Sequence, residues 1–227
     1  MNRVGERYVW KEIPGSSHDR LRSRIRALPG GLRLLDLGAA GGHLGRAVRD
    51  RCAFLAGVEP DPALSDGAQE GYDDWRRADA LSPGDWTAPF DVVVCADVLE
   101  HLPRPEELLA RIHAWLRPAG TLLVSLPNVA NITVRAALLA GRFPYAERGI
   151  LDRTHLRFYT RDSARALLTG AGFRIRDVDA TAMPYELGLP ALGRSPLRGP
   201  VRAFANASAR AWPTLFGYQF VLEAERP

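Results

Sequence analysis

The chain has 227 residues, 46% of them hydrophobic and 25% charged, with a formal net charge of +4. That mixture is too apolar for a disordered chain and long enough for one sizeable core, so it predicts a single soluble domain over residues 1–227. Lys11 is the only lysine among 30 basic residues, so the high pI is an arginine effect spread along the chain and does not by itself call for a nucleic-acid partner.

The first residues, MNRVGERYVWKEIPG, lack the apolar core of a signal peptide. No run approaches the ~18 apolar residues of a membrane span. Cys52 and Cys95 form no CxxC pair, which argues against a zinc knuckle or a disulfide framework and fits a reducing, cytoplasmic setting.

Ser16 to Asp19 has the spacing of a capping box, and Leu21, Ile25 and Leu28 recur on one helical face. Residues 1–31 therefore read as a helical cover carrying Tyr8 and His18. Pro29-Gly30-Gly31 ends it. Arg33 to Leu37 is a short apolar strand, followed by a glycine turn and a helix from His43 to about Arg51. Ala53–Val58 predicts a second strand, Ala63–Gly71 a helix, and Trp75–Ala78 a weak third strand. Asp91–Cys95 (DVVVC) is continuous and β-branched, as in a strand buried on both faces. Asp97–His101 reads as one helical turn, Glu106–Leu116 as a helix and Thr121–Leu126 as a strand after the turn Pro118-Ala119-Gly120. From Pro127 to Tyr159 sheet character is lost. Thr160–Thr169 predicts a helix and Phe173–Val178 a strand. A Pro/Gly/Arg-rich excursion occupies 181–200. Val201, Phe204, Ala205, Ser208 and Trp212 mark a helical stripe, read as core packing or else as a face for a second copy or a membrane surface. Phe216–Glu223 is a last strand.

Alternating β and α over 33–126 predicts a doubly wound, mostly parallel α/β sheet with helices on both faces. Such sheets bind ligands outside the carboxyl ends of their strands. Asp36, Glu59, Asp79 and the segment Cys95–Asp97 all fall at strand ends. A dinucleotide turn must approach a pyrophosphate, and a carboxylate there would repel it. Here the turn opens on Asp36, so the pattern favours a ligand with an ammonium and a sulfonium and no phosphate. Glu59 suits a ribose diol, and Asp79 could accept from an adenine amino group.

The set LLDLGAAGG, GVEPD, RADAL, FDVVVCADVLEHL and LRPAGTLLVSLPN resembles the class I S-adenosylmethionine-dependent methyltransferases, closely over residues 32–128. The resemblance implies a seven-stranded Rossmann-like sheet whose last strand is antiparallel. It implies that Asp36, Gly38, Ala39 and Gly42 line the methionine part of S-adenosylmethionine, Glu59 and Pro60 the ribose, and Asp79 with Ala80 the adenine. Cys95 and Ala96 would offer backbone to the ligand's amino group. Ala40 departs from the pattern, standing where many members carry a glycine. Residues 32–126 would then form the cofactor half, 127–200 the acceptor-side insertions and lids, and 201–227 a final helix and strand.

Asp97, Glu100 and His101 are spaced i, i+3, i+4 and would share one face of a helical turn. With His155 in LDRTHLRFYTRD, they resemble the acid-x-x-Glu-His cluster of ubiquinone-pathway O-methyltransferases and of small-RNA 2′-O-methyltransferases. That resemblance implies a divalent cation such as Mg²⁺ held by Asp97, Glu100, His101 and His155. Two other readings stay open: His101 or His155 as a metal-free base, and a purely structural turn. Asp97 is one methylene shorter than the usual Glu. Arg153, Arg157 and Arg161 could meet an anionic acceptor or lie solvated. Asn128 and Asn131 follow the fifth strand at the pocket mouth, Asn131 reading as a turn former, and 143–150 and 181–200 read as lids. The expected activity is methylation of a small-molecule or sugar hydroxyl, the acceptor being anionic or glycosylated. RNA ribose methylation and a non-catalytic partner subunit are the alternatives, and a homodimer stays open.

Overall fold

In the computed structural model, residues 14–65, 67–184, 195–196 and 198–227 are described. The seven strands are β1 (Leu32–Leu37), β2 (Cys52–Val58), β3 (Asp74–Arg76), β4 (Phe90–Ala96), β5 (Leu116–Pro127), β6 (Arg174–Ala180) and β7 (Gln219–Glu225). They form one sheet in the order β3-β2-β1-β4-β5-β7-β6. β1 to β5 pair in parallel, and β7 lies antiparallel between β5 and β6. This is the doubly wound arrangement expected, with the last strand reversed.

Strand residues alternate between two cores because successive side chains leave opposite faces of the sheet. Leu35, Leu37, Val93, Cys95, Leu122 and Val124 pack in one apolar cluster, and Leu34, Val92, Val94, Leu123 and Val221 in the other. Helices α4 (Pro105–Trp115) and α6 (Arg161–Gly170) cover the first face with Leu108, Leu109, Ile112 and Leu168. Helices α1 (Ser17–Ala27) and α2 (His43–Ala47) cover the second with Leu21, Ile25 and Leu44.

Caps follow the sequence. The Ser16 hydroxyl accepts from Asp19 N at 3.3 Å, and the Asp19 carboxylate accepts from Gly15 N at 2.8 Å. α6 opens with a reciprocal Thr160/Ser163 box, satisfying donors that the first helical turn leaves open.

Several expectations are corrected. Helix α3 is only Pro62–Ser65. The chain after α2 tightens into a 3₁₀ turn at Arg49–Arg51. β5 begins at Leu116, with Ala119 at φ 58 and a register shift opposite Phe90–Val92 where a plain turn was expected. Two helices were unforeseen, α5 (Ile132–Leu139) and α8 (Pro213–Phe216). The 201–212 stripe lies on α7 (Arg198–Ala211), but only Ala209 is buried there, and Phe204 is 75% exposed, so core packing is not its use. Tyr8 and residues 185–194 and 197 lie outside the described residues.

Candidate active site

The site opens at the carboxyl end of β1. Asp36 is buried, and its Oδ2 accepts from the Tyr72 hydroxyl at 2.9 Å. The chain then turns through Gly38 (φ 67), Ala40 (φ 46) and Gly42 (φ 67). A Cβ on Gly38 would stand 2.5 Å from Val98 Cγ2, so that position needs glycine for space as well as for its dihedral. Gly38 N and Ala39 N both donate to Val58 O, at 2.9 and 3.1 Å, which fixes the turn against β2. Ala40 occupies the left-handed region without glycine, and its amide donates to Glu59 Oε2 at 2.9 Å. Glu59 Oε1 accepts from Asp61 N, also at 2.9 Å. The Glu59 carboxylate thus bridges the ends of β1 and β2, and each oxygen keeps a second acceptor direction.

Burial pushes the Asp36 carboxyl up to about 7; Glu59 adds to the rise, while the Tyr72 hydroxyl and the Gly45 amide oppose it. Glu59 is also raised, by burial first, against its two amide bonds.

A cavity of about 410 Å³ lies against these strand ends. Of the residues expected at a cofactor, Asp36, Gly38, Ala39, Glu59 and Ala96 line it. Gly42, Pro60, Asp79, Ala80 and Cys95 do not. Gly42 backs onto Ala68 O and Tyr72. Cys95 is fully buried in the core, where burial holds its thiol well above the usual range. Asp79 is exposed beyond β3, and its Oδ1 accepts from Leu81 N at 2.7 Å. His18 of the N-terminal cover is on the wall, as is Pro184 from the start of the 181–200 excursion.

The same cavity holds Glu100, His101 and His155, with one ligand atom from each within 4.8 Å of the others. Backbone bonds bring them together across the sequence. Leu156 N and Arg157 N both donate to Glu100 O, at 2.8 and 3.0 Å. The imidazoles meet edge to face at 4.8 Å between centroids. His101 Nδ1 lies 3.2 Å from Thr154 O, and His155 Nδ1 lies 3.1 Å from Ile150 O. A carbonyl only accepts, so each Nδ1 carries a proton, and in the neutral ring Nε2 is the atom that keeps a lone pair. Both Glu100 carboxylate oxygens are buried without a hydrogen-bond partner among the described residues. Burial, with Asp97 next, raises the Glu100 carboxyl well above the usual carboxylate range. Burial, with His101 next, lowers His155, which favours the neutral imidazole.

Asp97 departs from the expected constellation. It lies at φ 55, outside the 3₁₀ turn Leu99–His101, so the helical i, i+3, i+4 face does not form. Its carboxylate accepts from Ser125 Oγ at 2.6 Å and from Gln219 Nε2 at 2.8 Å. It lines the cavity but stands apart from the three-residue cluster.

Two of the expected arginines are engaged elsewhere. Arg153 pairs with Glu147 at 3.1 Å and Arg157 donates to Pro103 O, whereas Arg161 does not line the cavity and its Nε is buried with no hydrogen-bond partner among the described residues. Asn128 and Asn131 both donate to Gly217 O at 2.8 Å and are structural. Sequence reading did not single out Tyr72, Asp152, Tyr218 or Gln219, and it reached Arg148 only as part of the 143–150 lid. Only Gln219 left a signal, as a polar residue opening an apolar strand.

Residues 10–178 match a family model described as a methyltransferase domain. The chain is 29% identical over 197 residues to the ubiquinone biosynthesis O-methyltransferase of Xylella fastidiosa (strain 9a5c), covering 82% of this chain and 72% of that one. It is 31% identical to the protein of the same name from Pseudomonas putida (strain GB-1), over 67% of this chain and 69% of that one. Its fold is similar to that of an S-adenosylmethionine dependent methyltransferase from Mesorhizobium loti, with a TM-score of 0.61 at 17% identity, over 93% and 99% of the two chains.

Proposed function

The chain belongs to the class I S-adenosylmethionine-dependent methyltransferases, and from that premise we propose that it methylates a hydroxyl of a small molecule, anionic or glycosylated, in the cytosol. The observation that carries the reading is one cavity shared by the two strand-end carboxylates, Asp36 and Glu59, and the Glu100–His101–His155 cluster. Bound S-adenosylmethionine supplies a methyl already activated on a sulfonium. The cavity residues suit it: Asp36 faces the ammonium and Glu59 the ribose diol, while Asp79 and Ala80, which the sequence assigned to the adenine, lie outside the cavity. A wall that aligns donor and acceptor in this way can contribute on the order of 7–11 kcal/mol to a displacement.

The cluster also suits a divalent cation. An unpartnered buried carboxylate is costly on its own, and here it faces two imidazoles whose Nδ1 protons are tied to carbonyls. Glu100 Oε and the two Nε2 atoms would be the ligands, a donor set suited to a borderline cation or to magnesium completed by water. A cation held there would lower the acceptor hydroxyl's pKa and orient it. Without one, the neutral His155 Nε2 can take the hydroxyl proton, worth about a hundred- to ten-thousandfold in rate. One atom cannot do both.

Incubation with labelled cofactor and a metabolite extract identifies the acceptor; absence of transfer to any small molecule overturns the small-molecule reading, and absence of transfer to total RNA as well leaves the non-catalytic partner subunit. With the acceptor in hand, a chelator should abolish turnover, and His155→Ala should lower calorimetric affinity for Mn²⁺ at least tenfold. Full turnover in chelator overturns the metal. Full turnover of His155→Ala in chelator overturns the base as well.

A further inference from the structure

We propose that Arg148 and Tyr218 form a carboxylate-binding subsite in the acceptor end of the cavity, so that the molecule methylated carries a carboxylate as well as its hydroxyl. The inference rests on the reading of this cavity as a methyl-transfer site and adds to it a residue pair and an acceptor class.

The cavity wall carries six carboxylates and, among the described residues, a single arginine or lysine, Arg148. A site for a cationic cofactor explains acidic residues at the Asp36–Glu59 end. The cofactor's one carboxylate sits on the same carbon as the ammonium that Asp36 would face, whereas Arg148 belongs to the loop whose Ile150 carbonyl meets His155 Nδ1, so its guanidinium is left for another anion. Arg148 forms no ion pair with any described carboxylate; the adjacent Glu147 is engaged by Arg153.

A closed loop holds the backbone on either side of Arg148, an exposed residue. Ala146 N donates to Leu151 O at 2.9 Å, Arg153 N to Ala146 O at 3.0 Å, and Asp152 N to Gly149 O at 3.2 Å. Gly149 takes φ 96, and a Cβ there would stand 2.8 Å from Tyr218 Oη. The loop therefore lies directly on the tyrosine because residue 149 has no side chain. Ile150, buried against Val134 and Leu151, anchors the next position. Its carbonyl meets His155 Nδ1, so the loop that presents Arg148 also sets one imidazole of the cluster. Both Arg148 and Tyr218 line the cavity. The guanidinium charge is felt at the Tyr218 phenol, opposing the rise that burial causes. The Tyr218 hydroxyl has no hydrogen-bond partner among the described residues.

A planar guanidinium matches a carboxylate through two parallel hydrogen bonds, and the phenol adds a third donor. A phosphate dianion would present further oxygens to a wall otherwise lined by acids, so a carboxylate is the better match.

The test is calorimetry on the full chain. S-adenosylhomocysteine is titrated first, and the complex is then titrated with 3,4-dihydroxybenzoate and with its neutral isostere 3,4-dihydroxybenzamide. The carboxylate should bind about ten- to a hundredfold more tightly than the amide, the range for hydrogen bonds to a charged group. Arg148→Met should erase that difference and leave S-adenosylhomocysteine affinity unchanged, and Tyr218→Phe should reduce it in part. Equal affinity for the two probes in the unaltered protein, or a preference that survives Arg148→Met, overturns the subsite. Failure of S-adenosylhomocysteine itself to bind overturns the underlying reading instead.

Discussion

At the residue scale, Asp36 is the most consequential ionisable group at the proposed cofactor end. Its carboxyl is raised to about 7 by burial and by Glu59, against the Tyr72 hydroxyl and the Gly45 amide. Below that pH the folded, ligand-free protein keeps a proton there. A ligand ammonium requires the ionised form, so binding must expel the proton, and affinity for S-adenosylhomocysteine should rise with pH between about 5 and 7 and level off above. Calorimetry across that range checks it; a flat profile would remove Asp36 from the ammonium. Asp36→Asn should flatten the rise, and Tyr72→Phe should move it to higher pH because the lost bond favoured the ionised carboxylate. The same shift has a stability consequence of opposite sense. The folded state binds the extra proton between about pH 4 and 7, so this group's contribution is full below about 4 and is lost as pH rises through 7. Tyr72 is held in place by missing side chains: a Cβ at Gly45 would meet its Oη at 2.1 Å, and one at Gly57 its Cδ1 at 2.8 Å. Gly45→Ala should therefore destabilise by about 1–3 kcal/mol through overpacking, read as a lowered urea midpoint.

At the element scale, legibility in the sequence followed burial. β4 was readable because a strand covered on both faces is a continuous apolar run, and Val92, Val93 and Val94 are all essentially inaccessible. α5 was not, because it has no apolar stripe: Val134 is its only buried residue, while Leu138 and Leu139 are 52% and 91% exposed. An apolar helix that faces outward carries no periodic signal. The strand-end acids were legible for the same topological reason as the strands. The helical face assigned to Asp97, Glu100 and His101 failed because spacing arguments presume a helix, and residue 97 is left-handed. The approach of His155 to Glu100 depends on two backbone bonds between distant segments, which no local pattern encodes. α5 is held instead by its cap. Asn131 Oδ1 accepts from Thr133 N at 3.0 Å and its Nδ2 donates to Gly217 O, so one buried side chain ties α5 to the corner before β7. Asn131→Ala removes both, and a loss of about 1–2 kcal/mol in urea unfolding is expected from the cap alone. A change below ~0.5 kcal/mol would show that tertiary packing, not the cap, fixes α5.

At the scale of the whole molecule, the arginine excess resolves into a network. Arg20 pairs with Asp179, Arg24 with Asp177 and Glu223, and Arg174 and Arg176 with Glu225, joining α1, β6 and β7 along one edge of the sheet. Two forces could seat α1 there: these ion pairs, or the burial of Leu21 and Ile25 against the second core. Magnitudes decide between them. Ion pairs with partly exposed partners are worth about 0–1 kcal/mol each, whereas a fully buried leucine truncated to alanine costs about 2–5 kcal/mol. Asp177 is 56% exposed and Leu21 is 0% exposed. Apolar burial is therefore expected to dominate. Leu21→Ala should lower the urea-unfolding free energy several times more than Arg24→Ala, and only the arginine effect should shrink further in 0.5 M salt, where the Debye length is a few ångströms. Equal losses would reverse the assignment. The outcome reaches the active site, because His18 on the same helix lines the cavity. A loosened α1 withdraws part of that wall, so Leu21→Ala should also weaken S-adenosylhomocysteine binding, while Arg24→Ala leaves it nearly unchanged.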